Sequence, residues 1–284
     1  MSIRIVTDSA SDMLTAEAEK LQIDILPLKT IFGEEEYLDG VTLSHEDFYK
    51  KLIESDVLPT TSQVTPFEYE EVFRRAVDQG DTVVCITLSS QLSGCYQSAM
   101  IAKEEFEEGQ VIVIDSLNVS LGQRILVERA IALRDSGMDA QTLADTVEKE
   151  KSQIRVIALL DTLEYLKRGG RISSAAAFAG TLLSIKPVVA VEGGKVVVLG
   201  KARGSKNGNN MLMDLVRKSG PIDFDRPYCL AYTGLSDDLL QKYKQDSAVL
   251  YEGKVDSLPI ATIGSTIGTH VGPGAVGCTF FVQD

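Results

Sequence analysis

The segment Leu88-Ser89-Ser90-Gln91-Leu92-Ser93-Gly94-Cys95 follows a compact apolar run, Thr82 to Thr87, and leads into a helical pattern. In a parallel α/β sheet, ligands gather where strands end and helices begin. Free backbone N–H groups at such a helix start, reinforced by the macrodipole, favour an anion. Ser93 adds a hydroxyl donor, and Gly94 lets the backbone approach a ligand closely. Capping of the following helix by the serines accounts for the same residues equally well. A second polar cluster, Pro59-Thr60-Thr61-Ser62-Gln63, precedes another helix start. Turn chemistry accounts for it when taken alone. Beside the Ser93 loop it becomes the second arm of one anion clasp.

His270 is one of two histidines and lies in Gly264-Ser265-Thr266-Ile267-Gly268-Thr269-His270-Val271-Gly272. The flanking glycines leave room for a ligand, and the imidazole is suited to donate to a carboxylate or to orient a serine hydroxyl. The second role would make Ser93 and His270 an acyl-ester hydrolase or transferase pair. Ser93, however, stands in L-S-G instead of the G-x-S-x-G elbow. His45, beside the cap Ser44, reads as a surface residue. Gly272-Pro273-Gly274-Ala275-Val276-Gly277 has the spacing G-x-G-x-x-G, but a strand and the chain end follow it instead of a helix and a later acid, which excludes dinucleotide binding. No G-x-x-x-x-G-K-[ST] is present.

In Thr7-Asp8-Ser9-Ala10-Ser11-Asp12, Asp8 and Asp12 would repel an anion, so capping is the expected role. The block Asp161 to Ser173 reads as a short helix with a basic last turn, a glycine stop and a new helix start; a docking patch is the alternative. Lys201, Arg203 and Lys206 fall in a Gly/Ser/Asn-rich loop after a hairpin, a local positive spot that would steer an anionic partner.

These residues need elements to hold them. Ile3 to Thr7, Thr82 to Thr87, Val111 to Ile114 and Val156 to Leu160 are short apolar runs, the pattern of strands covered on both faces in a parallel sheet. Thr65, Pro66 and Glu68 supply an N-cap, a first-turn proline and a capping-box acid, and Ser44 with Asp47 repeats the device more weakly. Helical patterns run from about 118 to 134 and 140 to 152. Beyond Asp161 the texture changes: Ile185 to Leu199, turning at Glu192-Gly193-Gly194, reads as a hairpin. A helix near 206 to 218, strands near 228, 260 and 279, and a helix capped by Ser236 complete the pattern. The expected fold is α/β, with a parallel-sheet lobe over 1–160 and an α+β lobe with antiparallel strands over 161–284.

The composition excludes several functions. A formal charge of −13 over 284 residues opposes nucleic-acid binding, which needs clustered Lys and Arg, and docking on an anionic bilayer. The four cysteines lie far apart with no C-x-x-C pair, so neither a zinc site nor a redox motif is expected, and a reducing compartment is. No basic-then-apolar leader opens the chain and no run reaches the ~18 apolar residues of a membrane span. A cytoplasmic protein without stable membrane insertion is expected.

In order, Thr7-Asp8-Ser9, Pro59 to Gln63, Ser89 to Ala99, Asp161 to Ser173 and Gly272-Pro273-Gly274-Ala275 resemble the DegV family and, within it, the bacterial fatty-acid-binding subunits called FakB. The resemblance covers nearly the whole chain. It implies two lobes enclosing a tunnel for one long-chain fatty acid, with the carboxylate held by Thr61, Ser62, Ser93, Gly94 and His270. It implies no catalytic residue, no metal and no cofactor beyond the lipid itself. It also implies a partner, an ATP-dependent fatty acid kinase that makes an acyl-phosphate for phospholipid synthesis and docks near Lys201 and Arg203. Cys95 departs from the pattern, standing where many relatives have Thr. Tunnel-lining residues, acyl length and saturation do not carry over.

Overall fold

A computed structural model describes residues 2–172 and 185–283. The chain opens with β1 (Ile3–Asp8), α1 (Thr15–Leu21), β2 (Ile23–Leu26), β3 (Lys29–Phe32), β4 (Glu35–Leu38), α2 (His45–Glu54) and β5 (Thr60–Ser62). Next come α3 (Pro66–Asp78), β6 (Thr82–Thr87), α4 (Cys95–Lys103), β7 (Val111–Asp115), α5 (Leu121–Asp135), α6 (Ala140–Glu150), β8 (Ile154–Leu159) and α7 (Glu164–Arg168). After the undescribed segment follow β9 (Ile185–Glu192), β10 (Lys195–Arg203), α8 (Ser205–Lys218), β11 (Tyr228–Tyr232), α9 (Asp238–Asp246), β12 (Ile260–Thr262), α10 (Ser265–Val271) and β13 (Val276–Phe281). The helix start expected from Ser173 lies outside the described residues.

Three sheets form among the described residues. A parallel sheet, ordered β2-β1-β6-β7, holds three of the four expected strands and adds β2: Ile5, Val6 and Val83 to Ile86 are fully buried because helices cover both faces. A mixed sheet, ordered β10-β9-β8-β13-β11-β12, forms the second lobe. The apolar run at Val156 belongs to this second sheet. As β8 it pairs antiparallel with β9 and β13, which corrects its reading as a parallel strand. Gly122 of α5 lies against Val156, and Gly208 of α8 lies against Leu159, on opposite faces of β8. A strand covered on both faces gives the same continuous apolar run whichever way its neighbours point.

The third sheet, ordered β4-β3-β5, is antiparallel and was not expected. It turns Thr60–Ser62 from a supposed turn into a strand, with Thr61 opposite Thr30. The capping signals at Thr65 and Ser44 were read correctly, whereas the helix expected to be capped by Ser236 has Asp237 at its N-cap and no side-chain cap. Thr65 Oγ1 accepts from the Glu68 N–H at 3.3 Å while Thr65 N–H donates to Glu68 Oε2 at 2.7 Å, and Ser44 Oγ accepts from the Asp47 N–H at 3.1 Å. Helix α5 is buried nearly all round and packs against β1 of one sheet and β8, β11 and β13 of the other. Among the described residues no helix is long and apolar enough to cross a membrane.

Candidate functional site

Strand β6 delivers the chain into the Leu88–Gly94 loop, which is pinned from three sides. Leu88 N–H donates to Asp8 Oδ2 at 2.8 Å, Ser89 N–H to the Asn118 carbonyl at 2.9 Å, and Ser89 Oγ–H to the Gly194 carbonyl of the β9–β10 turn at 2.8 Å. The loop ends at Gly94, which opens α4. Ser93 Oγ accepts from the Cys95 N–H and donates to Cys95 Sγ, both at 3.3 Å. Burial pushes the Cys95 thiol up to about 12, so it stays protonated beside the serine. The departure from the family pattern at Cys95 therefore touches Ser93 directly.

The second arm comes from β5. Thr61 Oγ1 lies 3.0 Å from His270 Nε2, and Gln63 Nε2 donates to Ser98 Oγ at 2.9 Å, tying the end of β5 to α4. His270 stands in the last turn of α10, a helix that the sequence pattern had not marked. Its ring lies against Gly169 at the end of α7, where any Cβ would collide with Nδ1. Burial, and then the nearby Arg171 guanidinium, pull His270 down to about 4. The ring is neutral at physiological pH, with one donor and one acceptor nitrogen. Nδ1 has no hydrogen-bond partner among the described residues.

Thr61, Ser62, Ser93, Gly94 and His270 all line one cavity of about 470 Å³ between the lobes. Its other walls are mostly apolar and include Leu28, Leu88, Leu121, Leu160, Val189 and Ile267. Arg171 also lines it, donating through Nε to the Leu92 carbonyl at 3.2 Å and through a terminal nitrogen to the Gly169 carbonyl at 2.6 Å. Arg171 is exposed, so the polar end of the cavity meets solvent there. Its place in the site was missed because its partner at Leu92 lies 79 residues away; only the positive charge of its block gave a signal. Lys201 and Arg203 lie elsewhere. Instead of occupying a loop they end β10, both exposed, with buried Ala202 between them. Alternation therefore places the two cations on one outward face, roughly 7 Å apart along the strand.

The arrangement does not assemble a hydrolytic triad. His270 bonds Thr61, Ser93 bonds Cys95, and among the described residues no carboxylate orients Nδ1. Among the same residues no group of three or more His, Cys, Asp or Glu is placed to hold a metal. What is built is a set of hydroxyl, amide, imidazole and guanidinium donors at one end of an apolar chamber.

Two carboxylates sit behind this set. Asp8 caps the turn after β1 as expected and accepts from Ala10 N–H at 3.2 Å. Asp12 accepts from Ser120 Oγ–H at 2.6 Å and Gly264 N–H at 2.7 Å, and burial pushes it up to about 8. The folded chain thus holds a proton on Asp12 that the unfolded chain loses near 3.8, and stability falls as pH rises through that window. His270 acts in the opposite sense, but only between about 4 and 6.5, and Asp8 is spent above about 6. From pH 6.5 to 8 the Asp12 proton gives the profile a downward slope. Thermal melts should lose on the order of 1–2 kcal/mol across that interval, and Asp12→Asn should flatten the profile. A wild-type midpoint that rises from pH 6.5 to 8 would contradict this assignment.

An apolar chamber with a donor-lined end has the chemistry to receive an apolar anion, and comparison with known proteins gives the family. The family model described as "Uncharacterised protein, DegV family" matches residues 2–283. A DegV domain-containing protein of Caldanaerobacter subterraneus is 36% identical over 279 residues, covering 98% of each chain. Among solved structures, a fatty-acid-binding DegV family protein from Thermus thermophilus superposes with a TM-score of 0.89 at 33% identity, covering all of both chains. A stearic-acid-binding protein from Eubacterium ventriosum gives 0.88 at 27% identity, covering 99% of this chain and 98% of that one. The chain belongs to the DegV family.

Proposed function

We propose that the protein binds one long-chain fatty acid in the interlobe cavity, holds its carboxylate at Thr61, Ser62, Ser93, Gly94, Arg171 and His270, and presents it to a separate cytoplasmic kinase. The observation that carries this reading is the convergence of those donors at one end of an apolar cavity of about 470 Å³. Relatives with the same fold bind fatty acids. Burying a C16 to C18 chain at about 0.8 kcal/mol per methylene gives on the order of 12 kcal/mol gross, enough for stable carriage after ordering costs. A carboxylate is costly to desolvate unless several donors receive it, and charge-assisted bonds supply that compensation. Organic extraction of purified protein, followed by mass spectrometry, should find one fatty acid per chain. Folded protein that carries none, even after incubation with oleate, would sink the reading.

The kinase partner rests on the paired cations of β10. Arg203→Ala should leave oleate affinity unchanged and lower acyl-phosphate formation with a reconstituted kinase roughly tenfold, the scale of one charge-assisted contact. Equal rates for the two proteins would remove Arg203 from the docking surface.

A further inference from the structure

We propose that Asp39 is a positioning residue of the carboxylate clasp, fixing from its N-terminal end the helix that presents His270. The inference rests on the fatty-acid reading of the site and adds to it a residue that touches neither cavity nor ligand.

Helix α10 has no side-chain cap of its own, because its N-cap residue is Gly264. Exposed N–H groups at a helix start need partners, most of all inside a protein, and a residue more than two hundred positions earlier supplies them. Asp39 Oδ1 accepts from Ser265 N–H and from Ser265 Oγ–H, both at 2.8 Å, and Asp39 Oδ2 accepts from Thr266 N–H at 3.3 Å. Asp39 is only 3% exposed and Ser265 is fully buried, so water does not compete for these bonds. Asp39 is itself anchored just beyond β4, where its N–H donates to the Leu28 carbonyl at 3.0 Å.

The same small sheet grips the other end of the helix. Thr30 and Thr61 are cross-strand partners on β3 and β5. Thr30 Oγ1 lies 2.7 Å from Ser265 Oγ, and Thr61 Oγ1 lies 3.0 Å from His270 Nε2. Residues 265 and 270 are separated by about 7.5 Å of helix, one rigid step at 1.5 Å per residue. Gly268 lies against the Phe48 ring and the Tyr49 hydroxyl, with no room for a Cβ. Hydrogen bonds at Ser265 therefore set the axial position of α10, and the axial position sets where His270 meets the ligand's head group. Asparagine at position 39 keeps one acceptor but turns an N–H₂ group toward one of the two backbone donors, so one of the two must lose its bond.

The test compares palmitate with hexadecanol, which share an alkyl chain and differ in charge at the head. Wild-type protein should bind the acid more than tenfold tighter than the alcohol. Asp39→Asn should weaken palmitate about tenfold, leave hexadecanol unchanged, and add nothing further to His270→Ala in the double variant. A merely structural role would weaken both ligands together. Ser265→Ala removes the hydroxyl's bonds to Asp39 and Thr30 but keeps both backbone donors to Asp39, and should show the same selective loss at about threefold, so the test stands even if Asp39→Asn fails to fold. A wild-type protein indifferent to acid and alcohol would overturn the clasp itself. Wild-type discrimination kept intact in both variants would overturn only the role of Asp39.

Discussion

Gly277→Leu is expected to lower the affinity for C16 to C18 acids by more than a hundredfold while leaving the chain folded and C8 to C10 acids bound. Gly277 pairs with Ala158 on one side and Ala231 on the other, and all three line the cavity. A Cβ added there meets Ala158 Cβ at 3.6 Å and Leu121 Cδ1 at 4.0 Å, which is ordinary contact. The first carbon of a leucine side chain is thus accepted without strain, and the rest extends into the space read as the acyl path. Displacing four methylenes at about 0.8 kcal/mol each removes roughly 3 kcal/mol, a factor above one hundred. Displacement of a fluorescent fatty acid by a chain-length series reads the effect directly. Undiminished palmitate binding with a normal melting curve would mean that the acyl chain does not run across this row.

The second large effect is expected at the head group. Thr61→Val keeps the β-branched shape of its strand position and removes the hydroxyl beside His270; Ser93→Ala does the same for the loop. A hydrogen bond to a charged group contributes about 1.5–3 kcal/mol, so each variant should lose roughly ten- to a hundredfold in acid affinity. The double variant should fall short of the product if both donors serve the same oxygens. Titration calorimetry with oleate measures this, and unchanged affinity in the double variant would place the carboxylate elsewhere.

Much of the site was legible because its parts carry local chemistry. The Ser93 loop announced itself by following an apolar strand and opening a helix, and the structure keeps that order. Thr61 and Ser62 were visible as polar residues, but their strand was not, since β5 has only three residues and none alternates with an apolar one. The sequence marks His270 through the room that Gly264, Gly268 and Gly272 leave around it, but not the helix that carries it. In the fold Gly268 instead permits a close helix contact, and Gly272, at φ +73°, ends the helix where a Cβ would strike the Tyr165 ring. Arg171 and Asp39 were out of reach for a different reason: each acts on a group far away in the chain, and neither spacing nor composition encodes that distance. Asp12 was judged an obstacle to anion binding. In the fold it is engaged by Ser120 and Gly264 behind the clasp, and burial favours its protonated form.

Strand β10 has a consequence for the company this protein keeps. Nine residues long and outermost in its sheet, it pairs among the described residues with β9 alone. Such a border invites a foreign backbone to zip onto it, the route by which sheets fuse and aggregate. Lys195, Lys201 and Arg203 crowd this border with charge, and a slip in register between Val198 and Gly200 breaks its straightness. A protein that settles here is therefore expected to do so through acidic side chains and to leave again.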